Sequence, residues 1–83
     1  MADTIKAKQK LDQLAAQVKG STTNYAEYQK IVRAVDAGKI KNRSDITREL
    51  SEALNKSPSD VGVVLASDDS DRLADEIVSL LKE

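Results

Sequence analysis

Apolar residues recur along the chain in five separate stretches, and four of them carry a clear helical spacing. In the first, Leu11, Leu14, Ala15 and Val18 stand at i, i+3, i+4 and i+7, one face of a helix. Lys6, Lys8, Lys10, Asp12 and Gln13 largely fill the other faces, and Gly20 suits a left-handed stop. These positions predict a helix over residues 4–19. After the small polar turn 20–23, Tyr28, Ile31, Val32 and Val35 repeat the one-faced spacing. Asn24 followed three residues later by Glu27 reads as a capping box, with Thr23 as a rival cap, and Gly38 ends the pattern. The second helix is expected over 24–37.

Lys39-Ile40-Lys41-Asn42-Arg43 forms a connector to Ser44, an N-cap residue type followed by Asp45 in the favourable first turn. Ile46, Leu50, Ala53 and Leu54 form the stripe of a third helix over 44–54, which Asn55 can close in the left-handed conformation. Ser57-Pro58-Ser59-Asp60 is a second start signal: a cap, a proline at the first helical position, then a carboxylate. Val61, Val64 and Leu65 make one apolar side of a short helix over 58–66, which Gly62 and three valines weaken towards two turns or partly 3₁₀ geometry. A strand competes over 62–65, but the sequence offers no partner strand. Ser67-Asp68-Asp69-Ser70-Asp71 separates this segment from the last helix. There Leu73, Ala74, Ile77, Leu80 and Leu81 share a face over 70–82. The expected architecture is all-α: one domain over residues 1–83, a small antiparallel four-helix bundle with an additional short helix across one end.

Composition narrows the chemistry sharply. The 83 residues include no histidine, cysteine, tryptophan or phenylalanine. Cysteine and serine–histidine hydrolases, thiol redox chemistry and nearly all zinc sites need side chains this chain lacks. A thin core of Leu, Ile, Val and Ala leaves little room for the ~300 Å³ typical of ligand pockets. No enzymatic activity, cofactor or small-molecule substrate is expected. The longest apolar run, Val63 to Ala66, is far too short to span a bilayer, and residues 1–6 hold no apolar signal-peptide core. A cytoplasmic location is expected.

The net charge of −1 conceals an asymmetry. Residues 60–83 carry seven carboxylates against two cations, while residues 1–59 carry eleven cations against seven carboxylates. Such halves can attract one another within the fold or present a basic end to an anionic partner. The second possibility singles out Lys39, Lys41 and Arg43 in the connector, with Lys30, Arg33 and Arg48 on the flanking helices. These six cations form the candidate partner-binding surface, suited to an acidic protein loop or an anionic lipid surface. Exchanging Lys41 and Arg43 for Glu is expected to leave folding nearly unchanged. The alternative surface is the exposed face of the last helix at Arg72, Asp75, Glu76 and Ser79.

Two other constellations point less far. Asp68-Asp69-Ser70-Asp71 lacks the central glycine and closing glutamate of a calcium loop, so these carboxylates are expected to cap the last helix, and no metal is expected. Residues 47–65 can be laid on a helix-turn-helix with Leu50 and Leu54 facing Val61 and Val64. The second helix of that pair carries Asp60 and no Lys, Arg, Asn or Gln, a poor reader of bases and phosphates. Nucleic acid therefore remains the alternative partner, behind a protein. Tyr28 is in phase with the core stripe and is expected inside with its hydroxyl at the edge; Tyr25 is expected half-exposed. Two aromatics make no stacking platform for a single strand.

Over Tyr28-Gln29-Lys30-Ile31-Val32-Arg33-Ala34-Val35-Asp36-Ala37-Gly38, then Ile46 to Leu54, then Leu73-Ala74-Asp75-Glu76-Ile77-Val78-Ser79-Leu80-Leu81, the chain resembles the immunity proteins that protect lactic acid bacteria from pediocin-like (class IIa) bacteriocins. The likeness lies in helix order and apolar spacing, and members are more basic than this chain. It implies an antiparallel four-helix bundle acting in the cytoplasm by association with a membrane receptor complex. It assigns no individual residue a role. The helix-turn-helix DNA binder or accessory regulator of a phage or plasmid is the alternative function.

Overall fold

The computed structural model describes residues 3–82, and every regular element among them is helical. α1 spans Thr4–Lys19, α2 Tyr25–Asp36, α3 Arg43–Leu54, α4 Pro58–Leu65 and α5 Asp68–Lys82. The fold is all-α, four longer helices and the two-turn α4. No helix among the described residues is long and apolar enough to cross a membrane.

The local punctuation explains most of the boundaries. Asn24 and Glu27 complete the capping box: the Asn24 side chain accepts from the Glu27 N–H at 2.8 Å, and Glu27 accepts from the Asn24 N–H at 2.9 Å. Gly20 and Asn55 close α1 and α3 in the left-handed region, at φ 82° and 55°. Ser57 caps α4 ahead of Pro58, accepting from the Asp60 N–H at 3.2 Å. Despite Gly62 and its valines, α4 is an α-helix throughout, ending at Leu65 with Ala66 as its C-cap.

α2 stops one residue short of expectation at each end and α4 at its last residue, and the starts of α3 and α5 differ for a physical reason. α3 begins one residue early, because Asn42 rather than Ser44 is its cap. The Asn42 side chain accepts from the Asp45 N–H at 3.0 Å, and Ser44 lies inside the helix. α5 begins at Asp68 rather than residue 70, so the acidic run forms the first turn of the helix instead of a linker to it. Carboxylates there oppose the positive end of the helix dipole, which favours helix where a polar run suggests a loop.

α1 is the central element and touches each of the other four helices. Its face of Ala7, Leu11, Leu14, Ala15 and Val18 is accordingly buried. α5 is its main partner and runs antiparallel to it: the Asp3 N–H bonds the Leu80 carbonyl, Lys10 pairs with Glu76 and Gln17 meets Ser70. α2 is also antiparallel to α1, clasped at one end by Lys19 to Glu27 and at the other by Lys8 to Asp36. Buried side chains from all five helices, with Ile40 of the connector, form one continuous cluster.

Tyr28 is not in that cluster. It is 37% exposed and Tyr25 79%, so neither ring is a core residue. Among the described residues α2 packs only on α1 and α3, and Ile31, Ala34 and Val35 suffice to fill both contacts. Ala34, not the tyrosine, is buried there, at 3% exposure. Ile40 is the converse case, buried to 4% exposure from within a polar connector.

Candidate functional site

The connector between α2 and α3 is shaped by a few specific contacts. Ile40 enters the core and leaves Lys39 and Lys41 exposed on either side of it. The Lys41 backbone N–H donates to the Asp45 side chain at 2.9 Å, and the Arg48 guanidinium donates to the Lys39 carbonyl at 3.2 Å. Arg48 also pairs with Asp45 at 2.9 Å and Glu49 at 3.0 Å. The Lys41 N–H, with Arg48 beside it, holds the Asp45 carboxyl below its ordinary value of 3.8. Glu49 in turn raises the Arg48 pKa. Arg48 thus serves as a clip that fixes the connector on α3.

Arg43 is likewise committed inward. Its guanidinium reaches across to α5, 2.7 Å from Asp71 and 3.0 Å from Asp75, and Asp71 chiefly raises its pKa. Its Nε is buried without a partner among the described residues. This pairing argues against the expectation that Arg43 can be reversed at little cost to folding, because a glutamate there would face two aspartates. It also shows where part of the charge asymmetry goes: the acidic end of the chain is drawn onto Arg43 and Lys10 within the molecule.

The remaining four cations stay free. Among the described residues Lys30, Arg33, Lys39 and Lys41 form no ion pair. Lys30, Arg33 and Lys39 line one side of a groove of about 270 Å³ between α2 and α3, with Ala34 and Ala53 also lining it and Glu49 and Glu52 contributed by α3. The α2 carboxylates, by contrast, are both engaged. Asp36 pairs with Lys8 at 2.7 Å; Glu27 pairs with Lys19 at 2.8 Å, and Lys19 and the Asn24 N–H hold it below its ordinary value of 4.5. The exposed charge that α2 offers a partner is therefore positive. Which charges of α2 stay free could not be told from the sequence; the ion pairs to α1 decide it.

The other constellations are placed as follows. Asp75 and Glu76 of the alternative surface pair with Arg43 and Lys10, and Glu76 and Ser79 border a shallow depression against α1. α3 and α4 are joined by the three-residue turn 55–57, the connection a helix-turn-helix uses. The exposed residues of α4 are Pro58, Ser59, Asp60 and Val63, with no cation among them. Among the described residues no three acidic side chains gather closely enough to hold a metal ion. Compared with protein-family models, curated proteins and solved structures, the chain matches none.

Proposed function

We propose that this protein is a non-enzymatic helical binding module of the cytoplasm whose basic α2–α3 end takes an acidic segment of a protein partner. One observation carries the reading: the acids of α2 are paired inward to Lys19 and Lys8, while Lys30, Arg33, Lys39 and Lys41 form no ion pair among the described residues. Charges left unpaired at one end raise the local concentration of an oppositely charged partner and speed its encounter.

The test is binding of labelled poly-L-glutamate, followed by fluorescence anisotropy at low and at physiological salt. Salt-sensitive binding is expected, and a Lys30→Glu, Arg33→Glu, Lys39→Glu, Lys41→Glu variant should lose it while keeping the helical circular dichroism and melting midpoint. Equal binding by the variant sinks the proposal.

The resemblance to bacteriocin immunity proteins gives this reading a specific form, in which the partner belongs to a membrane receptor complex. Expression in a strain sensitive to a pediocin-like bacteriocin should then confer protection that the four-site variant does not. The three-residue turn between α3 and α4 supports the alternative, a DNA binder, against the charge of α4. Tight, salt-sensitive retardation of duplex DNA in a mobility-shift assay would favour it.

A further inference from the structure

The two walls of the α2–α3 groove repeat one pattern in opposite sign. α2 supplies Lys30, Arg33 and Ala34, and α3 supplies Glu49, Glu52 and Ala53, each set at i, i+3 and i+4 on one helix face. Rows of opposite sign attract one another, yet among the described residues no ion pair crosses the groove. Glu49 turns along its own helix to Arg48, at 3.0 Å. Glu52 is exposed and, like Lys30, Arg33 and the connector's Lys39, forms no ion pair among the described residues. Ala34 and Ala53 are buried and add only methyl groups to the lining. The groove thus stays open at about 270 Å³ with free charge of both signs on its rims.

We propose that this groove takes an extended partner segment of alternating charge, its carboxylates on Lys30, Arg33 and Lys39 and the lysine or arginine between them on Glu52, which thereby sets specificity. The inference rests on the binding reading above and names the character of the acidic segment. Neighbouring residues of an extended chain point to opposite sides, and alternate residues to the same side. An acid–base–acid triplet laid along the groove therefore sends both carboxylates to the basic wall and its cation to the α3 wall. A wholly acidic segment would meet the same cations but set a carboxylate against Glu52, and a like-charge contact of that kind rejects a partner. Three free cations against one free carboxylate keep the preferred segment acidic on balance.

The probes are labelled peptides with blocked ends, in which glycine–serine arms flank Glu-Lys-Glu, Glu-Gln-Glu or Glu-Glu-Glu, followed by fluorescence anisotropy at low salt. General attraction to a basic end would rank them by net negative charge, with Glu-Glu-Glu tightest. The groove predicts the reverse order. Glu-Lys-Glu should bind more tightly than Glu-Gln-Glu by about threefold, as one exposed ion pair allows, and Glu-Glu-Glu should be weakest. Glu52→Gln should abolish the preference for Glu-Lys-Glu while melting as wild type does, and Glu52→Lys should make Glu-Glu-Glu the tightest ligand. A Lys30→Glu, Arg33→Glu variant should lose all the peptides and keep its helical circular dichroism.

If wild type ranks the peptides by net negative charge, or Glu52→Gln keeps the preference for Glu-Lys-Glu, the role of Glu52 is wrong and the basic reading survives. A clear fall in the melting midpoint of Glu52→Gln would mean that Glu52 pairs with the basic wall and closes the groove, which also overturns the proposal. If the Lys30→Glu, Arg33→Glu variant binds as wild type does, the basic reading falls with it. Failure of every peptide overturns the proposal, and failure of poly-L-glutamate as well takes the basic reading too.

Discussion

The Ser70 hydroxyl, buried near the start of α5, donates to the Gln17 side-chain oxygen near the end of α1 at 2.5 Å. Ser70 is the one polar side chain fully inside the described structure, and this bond is what lets it be there. It pins the first turn of the acidic helix to the central helix. Ser70→Ala and Gln17→Ala should each cost about 1 kcal/mol, the usual net worth of such a bond. The double variant should cost little more than the larger single change, since both remove the same contact. Urea melts of the three variants check this; strict additivity would mean that the two side chains act separately.

The start of α3 separates two candidate caps. Asn42→Ala removes the acceptor for the Asp45 N–H and should cost about 1 kcal/mol. For a domain of this size that lowers the melting midpoint by about 4–8 °C. Ser44→Ala, inside the helix, should change it by less than about 0.5 kcal/mol. Calorimetry of the pair tests the assignment, and a reversed ranking would return the cap to Ser44.

Gly62 is a glycine that the fold does not require. A Cβ built there meets nothing within 4 Å, and its φ is not positive. Gly62→Ala should therefore stabilise α4 by about 0.5–1 kcal/mol, chiefly through the smaller entropy of the unfolded chain. Gly20→Ala should do the opposite, because φ +82° is strained for any residue with a Cβ. Melting midpoints moving in the same direction would contradict this contrast.

Arg43 should be sensitive to reversal where Lys41 is not. Arg43→Glu removes pairs with Asp71 and Asp75 and replaces them with repulsion, for a loss of about 1–2 kcal/mol. Lys41→Glu should stay within about 0.5 kcal/mol. Asp71→Lys combined with Arg43→Glu should recover part of the loss, which a double-mutant cycle by chemical denaturation measures directly.

Stability should fall on the acid side. Glu27 and Asp45 both titrate below their ordinary values of 4.5 and 3.8, the first held by Lys19 and the Asn24 N–H, the second by the Lys41 N–H and Arg48. A carboxylate depressed in the folded state stabilises it fully above the ordinary value, and the contribution disappears as pH drops through the folded one. The melting midpoint should be level down to about pH 5 and then decline. Glu27→Gln keeps an acceptor for the cap but loses the charge, so its acid decline should be shallower. A midpoint profile parallel to that of wild type would show the Lys19 pair to be without weight.

The helices themselves were legible along the chain because their signals are local. The box of Asn24 and Glu27, the Ser57-Pro58 start and the left-handed stops at Gly20 and Asn55 act within a turn of the residues they govern. The stripes of Leu11 to Val18 and Ile46 to Leu54 are buried as their spacing predicts. Of the six candidate cations, the groove brings Lys30, Arg33 and Lys39 together, and Lys41 stands free beside them on the connector. Arg43 and Arg48 drop out, because their partners are chosen by how α3 meets α5 and by how the connector folds back on α3.

What only the tertiary structure decided is how many neighbours each helix has. Periodicity places Tyr28 on the apolar face of α2, but two adjoining helices leave the edge of that face in water. The same count puts α1 at the centre, where five of its side chains are buried against four partners. Ile40 and Ser70 lie in segments too polar to predict burial, and both are inside: Ile40 joins the core cluster, and Gln17 of α1 satisfies Ser70. Helix formation is settled by hydrogen bonds and caps a few residues apart, so sequence alone determines it. Burial and charge pairing are settled by residues far along the chain, and these meet only when the helices pack.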